Sequence, residues 1–487
     1  MSNPSYQTDD RCALLPRARP AQRRLRLIRN ILLAGLVAVI PVGGFVAPAQ
    51  GAVTVPRPGR ITAVTARPGP GPGQVTFSWN QDGSHTTAFI IETGLTSFKV
   101  GDANLPDHGR AAKYFAVASG RRSITLSAAQ VASAGASAGS ANHLYYRLKA
   151  MNRTRSGTTY RDWPYLQSVA VAPTTPSRSG AALRVASFNV RTAHATGDAR
   201  VWLQRAPLVA TTILSRNPGV VALQELSPGR ADGKPLPTTG SVRQTVSLVN
   251  ALRAAGGSRY RLVRTTPYVK PGVPEGSQGA RILYDTSRYS LVSSCPETAR
   301  DGSYSSSCTI VMPLRASDSA TIRRRAAYAV LADRATGKRF FVVSAHLDAR
   351  HSTDATTEHS YETLRASQAK AVLDRVNQLD TAHLPVVLAG DLNTWQNNKA
   401  GYGAHDALVA SGYYDTAAAL TQVNVRYTTM NAFARTILAS ASGWGARLDV
   451  ITVKGVTGAA RFENVMKVTD TNRPSDHNMV VADIRLP

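Results

Sequence analysis

The spacing of hydrophobic residues divides the chain into three regions. Residues 1–52 carry a basic stretch followed by one apolar run. Residues 53–172 alternate polar and apolar positions with period two, which predicts β-strands, separated by Pro- and Gly-rich turns, at 74–79, 88–92, 144–150 and 168–171. After a Pro-, Thr- and Ser-rich linker at 173–180, the segment 181–487 alternates short apolar runs with stretches of helical spacing. That alternation predicts an α/β domain in which helices cover β-sheet.

The third region, 181–487, is long enough to hold a complete layered domain. Apolar positions at helical spacing predict helices at 201–215, near 242–252 and at 358–379. Short apolar runs predict strands at 183–188, 220–223, 281–284, 339–344, 385–390, 448–452 and 479–484. Residues 290–313 are predicted to form a β-hairpin.

The first 52 residues have the pattern of an export signal. Arginines precede an apolar run from Ile31 to Ala47, and small residues follow at 49–52. Pro41, Gly43 and Gly44 interrupt the run, which is therefore too broken for a good spanning helix and favours cleavage over an uncleaved membrane anchor. We expect a signal peptide, no transmembrane segment after its removal, and a secreted chain that is extracellular or associated with the cell surface.

The second region, 53–172, is similar to a fibronectin type III or related immunoglobulin-like β-sandwich. The features that carry this resemblance are a strand ending in Trp79 and a strand with Tyr145 and Tyr146, about 65 residues later along the chain. Modules of this kind position or bind other molecules more often than they catalyse a reaction.

Three cysteines are present, and Cys12 lies in the expected signal peptide. That leaves Cys295 and Cys308, both within the expected hairpin. A pair of cysteines in a secreted chain is typical of one disulfide, with two free buried thiols as the alternative. The bond would close a loop of about 14 residues and stabilise the fold by roughly 3 kcal/mol in the loop-entropy model.

The net charge indicates more about possible binding partners than the overall composition does. The formal net charge is +27, and residues 1–52, with seven Arg and two Asp, leave +22 for the rest. A field of this sign favours phosphate-rich partners: nucleic acid, anionic lipid or a teichoic-acid-like cell-wall polymer. The charge does not choose among them, and abundant Arg, Ala and Gly are also typical of proteins from GC-rich genomes. The basic run at 323–325 is either part of this field or an ordinary solvated face.

Six strand-like runs of the third region have an adjacent polar residue of a type found in catalytic sites. Taken singly, each has an ordinary structural explanation. Asp391 after Gly390 fits a turn, Glu225 fits a surface acid before another turn, and His346 fits a core histidine with its hydrogen bonds made. A structural domain rarely needs four carboxylates, two amides and two histidines beside buried strands. These residues are Asn189, Glu225, His346, Asp391 with Asn393, Asp449, and Asp476 with His477.

In this order and context, the residues resemble the endonuclease/exonuclease/phosphatase superfamily. It includes deoxyribonuclease I, abasic-site endonucleases, bacterial sphingomyelinases and inositol polyphosphate 5-phosphatases. The resemblance covers about 181–487, and its most specific motifs are Gly-Asp-Leu-Asn at 390–393 and Ser-Asp-His at 475–477. It implies a four-layer α/β/β/α sandwich with the active site at one edge of two packed sheets. The other matching motifs are Ala186–Arg191, Leu223–Glu225, Ala345–Leu347 and Arg447–Asp449.

The resemblance also implies hydrolysis of a phosphoester. Carboxylate and amide oxygens suit a hard divalent cation, Mg²⁺ or alternatively Mn²⁺ or Ca²⁺. Glu225 is assigned as the main metal ligand, with Asn189 and Asp476 nearby. His477 is assigned as the general base toward water, with its tautomer held by Asp449.

The remaining roles come from the same resemblance. Asp391 and Asn393 are assigned to position the water and the phosphate, and His346 to donate to a phosphate oxygen or to the leaving group. In deoxyribonuclease I a glutamate orients the histidine that matches His346, whereas the corresponding stretch here offers Gln278, which cannot stabilise an imidazolium as a carboxylate does. We therefore expect His346 to work mostly in its neutral form. Arg281, in the same stretch, is either a phosphate contact or a strand-edge arginine without a role.

Together these observations predict a secreted, monomeric, metal-dependent nuclease, because the positive charge suits nucleic acid as substrate. The enzyme alternatives are a sphingomyelinase-like phospholipid phosphodiesterase and a small-molecule phosphatase. The lipid alternative lacks a clear aromatic pair at a loop tip, since Tyr413 and Tyr414 fit better as a turn beside a core. From a different class, the chain could be an inactive surface adhesion protein. The intact carboxylates and His477 argue against that.

Overall fold

The computed structural model describes residues 54–487, except 72, 84, 95–112, 135–142, 163–166, 171–178, 196–199, 228, 235–241, 264–278, 294–307, 397, 399, 441–442 and 457. The predicted signal peptide, Gln278, Cys295 and most of the predicted linker lie outside the described residues. No helix in the described part of the chain is long and apolar enough to span a bilayer. Helices combined with several β-sheets confirm the α/β prediction.

The N-terminal region folds into two antiparallel sheets. One has the strand order β1-β2-β5, and the other has the order β4-β3-β6-β7, with β8 also pairing with β6. The elements are β1 (Ile61–Pro68), β2 (Val75–Gln81), β3 (Ala88–Gly94), β4 (Lys113–Ala118), β5 (Ser123–Leu126), α1 (Ala128–Ser133), β6 (His143–Thr154), β7 (Gly157–Asp162) and β8 (Gln167–Ala170).

Aromatic side chains join these two sheets. Phe77 of β2 meets Tyr146 of β6 edge-on, with ring centroids 4.9 Å apart, and Trp79 meets Phe89 of β3 at 5.1 Å. All four are buried, because the period-two alternation of their strands places them on the inner faces. The sequence predicted β2, β3, β6 and β8 but missed the more exposed strands, such as β4, where Val117 is the only buried residue.

The remainder of the chain alternates strands and helices. Its elements are β9 (Ala181–Asn189), α2 (Trp202–Arg216), β10 (Val220–Gln224), α3 (Gln244–Ala254), β11 (Tyr260–Leu262), β12 (Arg281–Asp285), β13 (Tyr289–Leu291), β14 (Thr309–Val311), β15 (Arg325–Asp333), β16 (Arg339–His346), α4 (Ala355–Leu379), β17 (Val386–Asp391), α5 (Gly403–Ala410), β18 (Tyr414–Asp415), β19 (Thr421–Val423), β20 (Asp449–Lys454), β21 (Ala459–Val465) and β22 (Met479–Leu486). All three predicted helices are present.

These strands form two mixed sheets of seven strands each. The first sheet has the order β11-β12-β10-β9-β22-β21-β19. The second sheet has the order β13-β15-β16-β17-β20-β18, and β14 also pairs with β15. β9 runs parallel to β10, and β16 runs parallel to β17, so the carboxyl ends of each pair lie at a common edge.

Helices cover one face of each sheet, and the other two faces pack on each other. On the first sheet, Phe188 and Leu223 belong to the same buried cluster as residues of α2 and α3. On the second sheet, Phe341 and Leu388 cluster with residues of α4 and α5. The opposite faces of both sheets share a third cluster, which includes Val185, Ala222, Val342, Val387 and Ile451. Because side chains alternate along each strand, one set packs against helices and the other packs against the opposite sheet.

The described ends of the segment 290–313 do not form the predicted hairpin, and residues 294–307 between them lie outside the described residues. β13 and β14 both pair antiparallel with β15, at residues 331–333 and 325–327 respectively, and do not pair with each other. The sequence analysis missed β15 because its alanines and terminal charges do not favour a strand. Pairing with β16 over 327–332 overrides that weak local preference.

A buried polar network joins the N-terminal sheets to the rest of the molecule. Residues 54–487 form one compact unit. Arg447 Nη1 donates to both carboxylate oxygens of Asp415, at 3.1 and 2.9 Å, and His405 Nε2 lies 2.9 Å from Asp415 Oδ2. On β6, the Tyr145 hydroxyl donates to Asp406 and lies 3.4 Å from His405 Nδ1. The N-terminal region thus supports the segment that leads into β20.

Gly390 offers a test of strand packing next to the polar edge. A Cβ at this position would lie 2.0 Å from the backbone oxygen of Ala345, on the neighbouring strand β16. We expect Gly390→Ala to lower the unfolding free energy by about 3 kcal/mol, because neither backbone can move away in a packed sheet. Gly120→Ala is the matched control, since nothing lies within 4 Å of its added Cβ. Equal denaturation midpoints for the two variants would contradict this packing.

Candidate active site

Sheet register brings the predicted residues to one edge. His346 and Asp391, the last residues of β16 and β17, are direct partners, and Asp391 is the partner of Asp449 at the start of β20. On the first sheet, Asn189 ends β9 beside the last residue of β10, and Glu225 follows directly. Each strand is buried along its apolar run, so its polar residue appears where the run ends.

Asp391 connects the two sheets at this edge. Its side chain is 1% exposed, and its Oδ2 accepts a hydrogen bond of 3.0 Å from Asn189 Nδ2 of the first sheet. The same oxygen lies 3.6 Å from His346 Nε2 and 3.8 Å from His477 Nε2. Its Oδ1 accepts from the Asn393 amide at 2.9 Å. One carboxylate thus contacts four of the predicted residues.

Asp449 and His477 form a tightly bonded pair. His477 Nδ1 donates to Asp449 Oδ2 over 2.8 Å, and the Thr429 hydroxyl accepts from the Asp449 amide at 3.1 Å. Burial by itself lowers the pKa of His477, but the Asp449 and Asp391 carboxylates raise that pKa well above 6.5. The ring is thereby held with Nε2 directed toward Asp391.

Glu225 is held in one orientation by the end of β9 and the residues after it. Its Oε1 accepts from Asn189 Nδ2 and its Oε2 from the Thr192 amide, both at 3.0 Å. Burial raises the pKa of Glu225, but His346, Arg191 and these two hydrogen bonds lower it to about 2. The residue has a positive φ of 56°, an uncommon backbone conformation for glutamate. Glu225 is therefore an ionised, oriented carboxylate.

Asp476 pairs with an arginine that follows the end of β9. Arg191 Nη1 is 3.4 Å from Asp476 Oδ2. The buried Ser475 hydroxyl donates to the Asn189 carbonyl at 2.7 Å, which fastens the Ser-Asp-His segment to the end of β9. Asn393 Nδ2 donates to the Leu347 carbonyl at 3.0 Å and so fixes the segment after His346.

His346 is buried beside Arg324, an arginine that the sequence analysis did not assign to the site. Burial and the nearby Arg324 guanidinium lower the pKa of His346 to about 4, despite the opposing effect of Asp391 and Glu225. The imidazole is therefore neutral near pH 7, for reasons other than the glutamine on which the sequence prediction rested. Its Nδ1 is buried with no hydrogen-bond partner among the described residues, and Gln278, its predicted partner, lies outside them.

Arg324 corrects the interpretation of 323–325 as an ordinary solvated face. Its side chain is buried, and its Nη1 has no hydrogen-bond partner in the described part of the chain. Burial lowers the pKa of its guanidinium, opposed by the Asp348, Glu225 and Asp391 carboxylates. A guanidinium this close to the cluster compensates its negative charge and can donate to an anion. Its position follows from β15, which the sequence did not predict.

The donor set fits a hard divalent cation. Ligand atoms of Asp391, Asp449 and His477 all lie within 4.8 Å of one another. Asp449 Oδ1 is buried without a hydrogen-bond partner among the described residues, so this oxygen could serve as a ligand. Glu225 offers further carboxylate oxygens, and its Oε1 shares the Asn189 Nδ2 donor with Asp391. The structure thus brings together the predicted ligand Glu225 and a second group of possible ligands.

The other predicted residues occupy simpler surroundings. Arg281 is buried at the start of β12, and its Nη1 donates to the Ala280 carbonyl at 2.9 Å. Cys308 is disulfide-bonded, and its pairing with Cys295 stays a prediction because Cys295 is outside the described residues. Tyr413 and Tyr414 are both 1% exposed, which confirms their expected place beside a core.

Arg205 is a supporting residue that the sequence analysis missed. It lies on α2, is fully buried, and donates to the carbonyls of Val190, Thr192 and Pro474 at 2.7, 3.3 and 3.2 Å. It thereby ties the segment after Asn189 to the segment before Ser475. Its signal was available, because an arginine on the apolar face of an amphipathic helix needs buried acceptors.

Comparison with known proteins gives a resemblance of fold. No protein-family model and no curated protein matches the chain. An endonuclease/exonuclease/phosphatase structure from Bacteroides vulgatus is 20% identical, with a TM-score of 0.46 over 63% of this chain and 100% of its own. The human nocturnin catalytic domain is 19% identical, with a TM-score of 0.38 over 62% and 93%. Zebrafish (D. rerio) TDP2, complexed with a single-strand DNA product, is 16% identical, with a TM-score of 0.39 over 62% and 98%. At such values, the activities of these proteins do not transfer to this chain.

The two histidines should have opposite protonation states in the metal-free protein. We expect His346 to stay neutral down to pH about 4 and His477 to stay protonated above 6.5. Stability linked to His346 is then lost as the pH falls from about 6.5 towards 4, and stability linked to His477 is lost as the pH rises through its raised pKa. Imidazole NMR, assigned with His346→Gln and His477→Gln, measures both titrations. A His346 that titrates at its ordinary pKa would contradict the buried environment.

Proposed function

We propose that the chain is a secreted, divalent-metal-dependent phosphoesterase that hydrolyses phosphodiester bonds of nucleic acid. The observation that carries the proposal is the convergence at Asp391, where an amide from the first sheet meets two imidazoles. Glu225 and Asp449 lie on either side of this point. Such a set combines oxygen ligands, a candidate base and neutral donors, as hydrolysis of an anionic ester requires.

His477 is the proposed base toward the attacking water. Its Nδ1 is held by Asp449, so its Nε2 accepts the proton of the water as the oxygen attacks phosphorus. Asp449 then stabilises the imidazolium that forms. His477 must first be neutral, which requires its raised pKa to fall when the carboxylates around it are compensated. Glu225 with Asn189 and Asp476, or the Asp391 and Asp449 oxygens, would hold Mg²⁺, Mn²⁺ or Ca²⁺, which would supply that positive charge and polarise the phosphoryl oxygens.

Donors on the other side of Asp391 bind the phosphate. Neutral His346 can donate through Nε2 to a phosphate oxygen or to the leaving group without carrying a charge. Asn393 and Asp391 position the water and the phosphate, and Arg324 adds a fixed positive charge beneath them. Because these side chains are buried and held by the packing around them, little reorganisation is needed when charge develops on phosphorus.

The proposal also covers the fold class, the N-terminal module, export and the choice of substrate. Helices on one face of each packed sheet support a four-layer α/β/β/α sandwich. Two antiparallel sheets joined through Trp79 and Tyr146 support an immunoglobulin-like N-terminal module. The basic and apolar pattern of residues 1–52 is the basis for proposing export, and the +22 on residues 53–487 is the basis for preferring nucleic acid over a neutral ester.

Plasmid DNA tests the proposed reaction directly. With Mg²⁺ or Mn²⁺ the full chain should nick the DNA, EDTA should stop the reaction, and His477→Ala should lower turnover by about 10²–10⁴ because the general base is lost. His359→Ala, an exposed histidine of α4, is the control. Release of phosphocholine from sphingomyelin vesicles with DNA untouched would favour the lipid alternative. No hydrolysis of any phosphoester under several metals would favour the adhesion alternative.

Arg324 provides a second test of the site. Arg324→Ala should lower kcat/KM by roughly 10², in the range for removing one preorganised donor to a reacting oxyanion. Arg323→Ala changes a neighbouring, less buried arginine and should have little effect. Thermal unfolding of both variants separates catalytic loss from loss of fold. Equal kinetics in the two variants would remove Arg324 from the mechanism.

A further inference from the structure

A cavity on the N-terminal sheets collects basic side chains away from the polar edge described above. It has a volume of about 650 Å³, and its lining includes Arg57, Gly59, Arg60, Asp82, His85 and Arg161. We call it the arginine cavity. The lining residues include three arginines and one histidine but a single acid, Asp82. None of these residues belongs to the candidate active site.

The backbone beneath the arginine cavity is tightly held. A Cβ on Gly59 would lie 1.7 Å from the Asp82 carbonyl oxygen, so only glycine allows the two segments to approach this closely. The Asp82 amide donates to the Arg60 carbonyl at 2.9 Å, and Gln81 Nε2 donates to the Gly59 carbonyl at 3.2 Å. The backbone that carries Arg57 and Arg60, on either side of Gly59, is therefore held in place.

A second set of contacts brings Arg161 to the same place. The Thr159 hydroxyl of β7 donates to the Pro56 carbonyl at 2.7 Å, which ties β7 to the segment that carries Arg57. Arg161 follows two residues later on the same strand, so its side chain leaves the same face as that of Thr159. The three arginines thus come from two segments that the fold holds together.

The arginines of this cavity are available to a ligand. Within the described residues, Arg57, Arg60 and Arg161 form no ion pair, although the carboxylate of Asp82 lines the same cavity. Arg57, Arg60 and His85 are exposed to solvent. Most of the buried arginines discussed above, in contrast, bond carboxylates or carbonyls. Guanidinium groups without a carboxylate partner keep their donors for an anion, which they can bind through paired hydrogen bonds.

We infer that the arginine cavity binds backbone phosphates of a nucleic acid strand and so tethers the substrate to the N-terminal module. Planar guanidinium groups match phosphate oxygens in pairs, and an open, 650 Å³ cavity with several arginines suits a chain of phosphates better than one small anion. The whole N-terminal module is also positively charged. Residues 53–172 hold thirteen Lys and Arg and five Asp and Glu, a net charge of +8. The identity of the ligand rests on the proposed function, while the anion site itself does not.

Binding of DNA by the full chain in EDTA tests the inference without hydrolysis. The probe is a labelled duplex of about 30 base pairs, titrated at several salt concentrations. Arg57→Ala/Arg60→Ala/Arg161→Ala should weaken binding roughly ten- to a hundredfold near 0.1 M salt and reduce the slope of log K against log salt by about two to three units. Unchanged affinity and slope would overturn the inference.

The matched control removes the same charge elsewhere. Arg253→Ala/Arg339→Ala/Arg375→Ala changes three exposed arginines, and Arg339 lies at the opposite end of β16 from His346. This variant should bind DNA nearly as the parent does. If both triple variants lose affinity equally, net charge alone accounts for binding and the arginine cavity is not a site.

Hydrolysis of a small ester separates this inference from the proposed function. With metal present, the cavity variant should cleave bis-p-nitrophenyl phosphate at the parental rate, and a parallel loss there would overturn a purely tethering role. A parent that binds DNA through the arginines but hydrolyses no ester would refute the nuclease proposal and support the tether. Loss of binding to wall teichoic acid with DNA binding intact would overturn the assignment to nucleic acid.

Discussion

The buried carboxylate of Asp391 is the constraint on which the polar edge depends. A polar group with 1% exposure is costly to bury unless donors surround it, and those donors come from both sheets. Asn189 reaches the Asp391 carboxylate from the first sheet. The Asn393 amide and the two histidines contact the same carboxylate from the second sheet and the segments next to it. The contacts that make this burial tolerable are therefore the same contacts that arrange a site able to receive a phosphoryl group.

Buried arginines supply much of the remaining support. Arg205 satisfies carbonyls on both sides of the Ser-Asp-His segment, and Arg447 satisfies the Asp415 carboxylate close to β20. Tyr145 extends the second network into the N-terminal module, so that module takes part in holding the polar edge. Arginine suits this work because it stays charged when buried and donates in several directions. Arg324 differs, since its Nη1 is buried without a partner in the described residues and is left for an anion.

The strength of each local pattern decided how well the sequence predicted the fold. Continuous apolar runs such as that of β17 were found, because burial on both faces needs uninterrupted hydrophobic residues. β15 was missed because its alanines carry no strand preference, and the described ends of 290–313 do not form the predicted hairpin because both of their strands pair with β15. The same omission left Arg324 with no assigned role.

The sequence by itself determined which side chains could carry chemistry, because Asn189, Glu225, His346 and Asp391 each stand where a buried strand ends and Asp449 stands where one begins. Only the tertiary structure decided which of them meet. Asn189 and Asp391 are 202 positions apart, and their 3.0 Å contact depends on sheet order, strand register and the packing of one sheet on the other. Local spacing holds no information about those three properties, because they arise from the burial of whole sheet faces rather than from any single segment.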